Sequence, residues 1–263
     1  MSAPTHVGSS ARLGLGVAIA LLTITLAACG GPSSSSLDAD ASQAVTFKTS
    51  DGVTLAGRLF GPADAQEGVV LSHMLPADQT SWYPFAQRLA GDGYRVLTFD
   101  FRGYCPGGDG GCSQGTKDIN AAPTDLDAAM RYLRKQGPTR IGLAGASMGG
   151  TASLLVAGTD PENIDAVVTL SAPQVLSGLG VGLQQLALVS APKLFIAGLG
   201  DPSGAVQAAD ALYADSPGPK DEQIVTDDSH GTDLLSGPQG EHVQELIEQW
   251  FGRYLAARPT PTS

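Results

Sequence analysis

Short apolar runs bounded by turn residues recur along the chain from residue 44 onward. The first run, 44–49, alternates between apolar and polar residues, and 54–60 follows it across Asp51–Gly52, a dipeptide typical of a hairpin turn. Continuous apolar runs are typical of strands buried on both faces of a parallel sheet. Six such runs follow, at 68–72, 94–99, 140–144, 166–170, 193–197 and 222–226. The pattern therefore predicts eight strands.

Apolar residues at helical spacing lie between several of these runs. One predicted helix ends at Gly91, and a second has Thr124 and Asp127 at the spacing of a capping box. The last helix has the most regular pattern, formed by Val243, Leu246, Ile247, Trp250, Phe251, Tyr254 and Leu255. A hairpin followed by repeated strand–helix units predicts one α/β domain over 44–258, in which a mixed sheet carries helices on both faces.

The first 28 residues have the pattern of a secretory signal. A polar start with one base, Arg12, precedes an apolar run over 15–26 that is short for a transmembrane helix. The run ends in Leu26-Ala-Ala-Cys29, which resembles the lipobox of bacterial lipoproteins, where the cysteine is lipidated and begins the mature chain. We therefore expect a lipid anchor on Cys29 at the outer side of the cell membrane or envelope. An ordinary signal peptide with an incidental cysteine is the alternative.

Composition and charge restrict the partners of the domain. Residues 29–43 are small and polar and predict a flexible tether, and 259–263 predict a disordered tail. Hydrophobic residues make up 42% of the chain and charged residues 16%, which suits one sizeable core. The formal net charge of −11 argues against a nucleic-acid partner, because phosphates need basic residues. We expect a monomer that contacts the membrane only through Cys29.

Cysteine positions fit this extracytoplasmic location. With Cys29 assigned to lipid, Cys105 and Cys112 remain, both in one glycine-rich loop. Such a pair outside the cytoplasm predicts a disulfide, with two free thiols as the alternative. The loop has no further Cys or His for a zinc site, and no phosphate-loop, zinc-protease or dinucleotide motif occurs. We therefore predict no metal and no cofactor.

A candidate nucleophile lies between a predicted strand and a predicted helix. Gly145-Ala-Ser147-Met-Gly149 matches G-x-S-x-G directly after the run that ends at Ala144 and directly before a helix-forming segment. This strand–turn–helix context is what a nucleophile elbow requires, and the helix N-terminus behind Ser147 favours developing negative charge. An inert serine in a glycine-rich turn is the alternative.

A base and an acid follow the serine in chain order. His230 lies in a polar loop after the last strand, whereas His6 leaves with the signal, His73 precedes the serine and His242 begins the last helix. Asp201 follows a strand directly, where ligands gather in such sheets. Asp227 and Asp228 are rival acids, but they lie close to His230 in sequence. The order serine, acid, histidine is the one expected for a G-x-S-x-G elbow.

With these residues in this order, residues 44–258 resemble small bacterial α/β-hydrolases. Asp100-Phe-Arg-Gly103 is similar to the D-x-R-G turn of that family, and 71–76 stands where the family has a His-Gly loop, with Met74 replacing the glycine. The resemblance implies an eight-stranded, mostly parallel α/β-hydrolase sheet without a large cap domain. It also implies an oxyanion hole formed by the backbone N–H groups of Met148 and Leu75, with Met74 as the alternative to Leu75. His73 is expected to hold its loop in place.

The resemblance implies hydrolysis of carboxylic esters by Ser147, His230 and Asp201. Short to medium acyl chains are expected, because residues 174–191 offer a flap in place of a cap. This apolar flap either lines an acyl pocket or covers the core. The alternatives are a peptidase or acyltransferase with the same triad, and a catalytically silent surface-binding lipoprotein, which the Met74 departure favours.

Overall fold

The computed structural model describes residues 42–105 and 111–256. The predicted signal segment, Cys29 and the tail lie outside the described residues, as does the tether up to residue 41. The strands are β1 (Gln43–Lys48), β2 (Thr54–Phe60), β3 (Glu67–Ser72), β4 (Arg95–Phe99), β5 (Arg140–Ala146), β6 (Ala166–Leu170), β7 (Val175–Leu176), β8 (Leu179–Gly180), β9 (Lys193–Gly198) and β10 (Lys220–Val225). Every predicted strand is present, and only the two-residue strands β7 and β8 were not foreseen. The burial on both faces expected for 222–226 is wrong, because β10 lies at the edge of the sheet and only Val225 in it is buried.

Eight of the strands form one sheet in the order β1-β2-β4-β3-β5-β6-β9-β10. The pairs β1–β2 and β2–β4 are antiparallel, and all other pairs are parallel. The sheet is therefore mostly parallel, as expected. The carboxyl ends of β3, β5, β6, β9 and β10 lie at one edge, which is where ligands bind in sheets of this kind.

Helices cover both faces of the sheet, as the pattern predicts. They are α1 (Tyr83–Gly91), α2 (Ala122–Lys135), α3 (Met148–Thr159), α4 (Leu183–Leu188), α5 (Ala205–Asp215) and α6 (Gly240–Tyr254). Apolar residues of α2, α3, α4 and α5 pack in one core cluster, and those of α1 and α6 pack in a second. Strand side chains alternate between these layers: Val70 lies in the first cluster, whereas Val69 and Leu71 lie in the second.

The predicted capping box at Thr124 and Asp127 is wrong. Helix α2 begins at Ala122, after a 3₁₀ turn that Asp118 caps by accepting a hydrogen bond from the N–H of Asn120. A proline in the first turn of α2 favours this earlier start, because its fixed φ suits the helix and it needs no hydrogen-bond acceptor. Asp127 instead pairs with Arg131 one turn later, at 2.8 Å.

The flap consists of the β7–β8 hairpin and the short helix α4. Leu186 and Val189 are buried in the first core cluster, whereas the side chain of Val175 is 68% exposed. Part of the flap therefore covers the core, whereas Leu183 and Leu188 of α4 are exposed.

Two features of the described chain bear on the envelope expectations. The sulfur atoms of Cys105 and Cys112 lie at disulfide distance, and their Cα atoms are 4.2 Å apart. Within residues 42–105 and 111–256, no helix combines the length and the apolar character needed to cross a bilayer.

Candidate active site

Ser147 occupies the sharp turn between β5 and α3. Its backbone has a positive φ of 47° with ψ −112°, a strained conformation that is uncommon for a residue with a side chain and is associated with functional sites. A hydrogen bond of 2.8 Å from its N–H to the carbonyl of Leu170 ties the turn to the neighbouring strand. No described residue hydrogen-bonds the Ser147 hydroxyl, so this group is free to meet a ligand or a base.

The glycines of the G-x-S-x-G motif are required by close packing around the turn. A Cβ on Gly145 would collide with the backbone of Gly149, and a Cβ on Gly149 would lie 2.8 Å from the carbonyl oxygen of His73. Only glycine lets these segments approach each other. The motif thus builds the elbow that the sequence predicts.

His230 and Asp201 form the next part of the site. Nδ1 of His230 lies 2.7 Å from Oδ2 of Asp201, whose side chain is fully buried. Burial raises the pKa of Asp201, but hydrogen bonds from Ser203 and His230 outweigh it and leave the pKa below its ordinary value. Asp201 is therefore held as a carboxylate that orients the imidazole ring.

The rival acids serve the loop in other ways. Asp227 accepts hydrogen bonds from the N–H groups of Ser229, at 2.9 Å, and Gln239, at 3.1 Å. The carboxylate of Asp228 lies against Gly200. Among the described residues, Asp201 is thus the carboxylate that contacts His230.

Ser203 is a site residue that sequence reasoning missed. Its N–H donates to Oδ1 of Asp201 at 2.9 Å, and its Oγ lies 3.1 Å from Nδ1 of His230. Ser203 therefore contacts both the acid and the base and holds them in position relative to each other. The Asp201-Pro-Ser203 spacing, which suits a local turn around an aspartate, was the available signal.

His73 has the loop-holding geometry expected of it. Its Nδ1 lies 2.9 Å from the carbonyl of Met74, and its Nε2 accepts a hydrogen bond from the N–H of Phe101 at 3.2 Å. Nδ1 therefore carries the proton and the ring is neutral. Burial lowers the pKa of His73 to about 4, which maintains this state.

The D-x-R-G turn supports the same loop. The carboxylate of Asp100 accepts two hydrogen bonds from Gln79. The backbone N–H of Gln79 donates one at 2.8 Å, and its side-chain Nε2 donates the other at 2.6 Å. Arg102 donates to Asp125 at 2.7 Å and to Asp51 at 2.8 Å. Arg102 and Asp125 are buried and Asp51 is exposed, so these contacts tie the turn to α2 and to the β1–β2 hairpin.

The two predicted oxyanion donors lie at the site. Met148 is the first residue of α3, so its N–H has no acceptor within the helix. Leu75 lines the pocket in front of Ser147. Neither N–H is bonded to any residue that the structure describes. The Met74 side chain is buried beside Gly231, away from the pocket lining, so the departure from glycine does not fill the site.

A pocket of about 330 Å³ brings the site residues together. Its polar lining is Ser147, Ser171, Ser203 and His230, and its apolar lining includes Leu75, Pro173, Val175, Leu176, Ala205 and Ala208. The flap hairpin thus contributes Val175 and Leu176 to the pocket. Nowhere in the described ranges do three His, Cys, Asp or Glu side chains cluster as a metal site.

The sheet order and the elbow define the class of the protein as an α/β-hydrolase fold, which confirms the expected fold class. A family model for the alpha/beta hydrolase fold matches residues 69–195, from β3 into β9.

Several known proteins are similar to this chain. An uncharacterized protein of Mycobacterium tuberculosis is 28% identical over 230 residues, covering 78% of this chain and 78% of that relative. Three solved structures share the fold. An esterase of Pyrococcus furiosus has a TM-score of 0.69 and 19% identity, with 82% of this chain and 94% of that chain covered. The dienelactone hydrolase of Anabaena variabilis has a TM-score of 0.66 and 24% identity, with coverages of 81% and 98%, and the esterase domain of a Rhodothermus marinus protein has a TM-score of 0.62 and 26% identity, with coverages of 82% and 100%.

Proposed function

We propose that this protein is a serine hydrolase that cleaves carboxylic esters of short to medium chain length at the cell envelope. The observation that carries the proposal is the shared pocket of Ser147 and His230, with the His230–Asp201 hydrogen bond of 2.7 Å behind it. The structural likeness to esterases and a dienelactone hydrolase supports the same reaction class.

In the proposed reaction, His230 Nε2 takes the proton of the Ser147 hydroxyl as Oγ attacks the ester carbonyl. The N–H groups of Met148 and Leu75 donate to the resulting oxyanion. His230 then gives its proton to the departing alcohol, which leaves an acyl-Ser147 intermediate. Water, activated by His230, adds to this intermediate and releases the acid.

Asp201 stabilises His230 when the ring carries two protons. Its Oδ2 accepts the hydrogen bond from Nδ1, which leaves Nε2 available to take the serine proton. Because hydrogen bonds keep the pKa of Asp201 below its ordinary value, the carboxylate stays charged throughout the cycle.

Pocket size favours short to medium esters. A volume of about 330 Å³ lies near the lower end of the roughly 300–1,000 Å³ typical of ligand pockets. Esters are preferred over amides, because an amine is the poorer leaving group and needs extended contacts that position it. The folded unit built from residues 42–105 and 111–256 contributes no separate peptide-binding domain.

A fluorophosphonate probe and an ester panel test the proposal. The probe should label the wild-type protein and not Ser147→Ala. Nitrophenyl esters from acetate to palmitate, assayed beside peptide amides, should show fastest turnover at short to medium chains. A preference for palmitate would contradict the pocket argument, and faster amide cleavage would favour a peptidase. Labelling with acyl transfer to added alcohols in preference to water would favour an acyltransferase. No labelling and no turnover would leave a surface-binding lipoprotein.

A further inference from the structure

Ser171 is a buried polar residue of the pocket that the proposed ester hydrolysis does not use. It follows β6 in the same way that Ser147 follows β5. The residue lines the pocket and is 2% exposed, and its hydroxyl has no hydrogen-bond partner among the described residues. Buried hydroxyls nearly always have a partner, because burial without one is unfavourable. An unpaired hydroxyl at a pocket wall indicates a missing ligand group.

Other buried serines of the described chain show the contrast. Ser113 Oγ donates to the carbonyl of Asp100, and Ser153 Oγ donates to the carbonyl of Gly149 at 2.8 Å. Ser216 also has an unpaired buried hydroxyl, but it lies at the end of α5 and does not line the pocket. Ser171 therefore combines two properties, an unpaired hydroxyl and a place in the pocket.

Strand pairing sets Ser171 beside the nucleophile. Ala146 of β5 is opposite Leu170 of β6, so the next residues, Ser147 and Ser171, are neighbours across strands that lie about 4.8 Å apart. Both have a positive φ, 47° and 52°, which is uncommon for residues other than glycine. Two adjacent strained serines at one pocket fit the tendency of such conformations to cluster at functional sites.

This position restricts what Ser171 can reach. An ester carbonyl attached to Ser147 Oγ would hold its nearest substituents close to the Ser171 side chain. The substrate atoms that can contact Ser171 are therefore those one or two bonds from the ester group, on the acid or on the alcohol side. The Ser171 hydroxyl is turned almost wholly from solvent. To contact a substrate, the hydroxyl must first rotate toward the pocket. Rotation about χ1 moves a serine hydroxyl between its staggered positions in this way.

We propose that Ser171 is a specificity-determining residue that hydrogen-bonds an oxygen of the substrate. The inference rests on the proposed ester hydrolysis and narrows its substrate class to short esters that carry a hydroxyl group one or two bonds from the ester. A hydroxyl fits best, because it can both donate to and accept from the hydroxyl of Ser171. Sites built to bind a polar group discriminate against the analogue that lacks it, since the protein group is then left unpaired.

Matched esters and a matched serine variant provide the test. Ethyl butyrate is compared with ethyl 2-hydroxybutyrate, ethyl 3-hydroxybutyrate and 2-hydroxyethyl butyrate by titration of the released acid. Full-length wild type, Ser171→Ala and Ser216→Ala are assayed at the same pH. Ser216→Ala removes an equally unpaired buried hydroxyl away from the pocket. Ser171→Gly serves as a second variant, since glycine accepts the left-handed φ without strain.

The expected result is a change in preference and not a general loss. Ser171→Ala should lower kcat/KM about tenfold for at least one hydroxylated ester and leave ethyl butyrate within about twofold of wild type. Ser216→Ala should match wild type on all four esters. Equal losses on plain and hydroxylated esters, or unchanged ratios, would show that Ser171 only supports the turn.

Failure of this inference is distinguishable from failure of the proposed function. Wild-type turnover with unchanged preference in Ser171→Ala overturns the role of Ser171 alone. Probe labelling of Ser147 without turnover of any of the four esters overturns the substrate class and leaves a serine hydrolase. Absence of both labelling and turnover overturns the proposed function together with this inference.

Discussion

His230 Nδ1 and Asp201 Oδ2 are 2.7 Å apart, although 29 residues separate them in the chain. The pair joins the loop after β9 to the loop after β10, at the carboxyl edge of two adjacent parallel strands. Asp201 is fully buried at its side chain and His230 is partly exposed, so the imidazole ring connects the interior to the pocket. In the proposed mechanism this pair activates Ser147, and the first two predictions test that role.

Substitution of the three residues should separate their roles. Ser147→Ala and His230→Ala should each remove nearly all ester turnover with little change in Tm. Asp201→Asn should keep the serine in place but favour the wrong imidazole tautomer, with kcat falling about 10⁴-fold if the serine-protease precedent transfers. Asp228→Asn is the matched control, and turnover close to wild type is expected for it. An active Asp201→Asn beside an inactive Asp228→Asn would assign the acid to Asp228.

Loss of the Ser203 hydroxyl should lower ester turnover without abolishing it. Ser203→Ala removes the Oγ contact to His230 but keeps the N–H donated to Asp201. One net hydrogen bond of about 1 kcal/mol corresponds to a five- to tenfold fall in kcat. Steady-state kinetics on one ester measures this, and Ser203→Thr, which retains a hydroxyl, should recover most of it. Equal activity of the alanine and wild-type proteins would contradict a positioning role.

The sequence was informative where local patterns decide structure. A hairpin pattern located the first two strands of the large sheet and apolar runs located the other six. The glycines around Ser147 located the elbow. All of these signals depend on residues close in the chain. The role of Ser171 depends on the pairing of β6 with β5, which no local pattern specifies. The capping box at Thr124 was predicted wrongly because a 3₁₀ turn, capped by Asp118, sets the start of α2.

The Cys105–Cys112 pair should be a disulfide in the mature protein. In the chain-entropy model, closing a loop with a sequence separation of 7 contributes roughly 2 to 3 kcal/mol to the free energy of unfolding. Mass spectrometry after alkylation of the native, unreduced protein should find neither thiol modified, and reduction should expose both. Two alkylated cysteines before reduction would contradict the pairing. Cys105→Ser, compared with the Cys105→Ser/Cys112→Ser double variant, tests whether an unpaired thiol adds its own effect to the lower Tm.

Lipidation should depend on Cys29. In a bacterial host with lipoprotein processing, the wild-type chain should fractionate with membranes and carry lipid on an N-terminal Cys29. Cys29→Ser should accumulate as the unprocessed chain, because the predicted lipobox resides in residues 26–29. Mass spectrometry of the mature N-terminus is the measurement, with Cys105→Ser as a control that should be lipidated normally. A mature chain that begins elsewhere would support an ordinary signal peptide.

His73 should make the fold sensitive to acid. Burial holds its pKa at about 4 in the folded protein, below the ordinary value of 6.5, so the unfolded chain binds the proton more readily between these values. The stability that a neutral His73 provides is therefore complete above about pH 6.5 and is lost as pH falls toward 4, by about 3 kcal/mol in all. Asp100 acts in the opposite direction, because burial raises its pKa to about 6, and Asp78 and Lys117 also influence His73. The free energy of unfolding is measured with denaturant for wild type and His73→Asn from pH 7.5 to 4. Asp100 contributes to both proteins, so its contribution cancels in the difference between them. The stability advantage of wild type should shrink steadily with acid, and an advantage independent of pH would contradict a buried neutral His73.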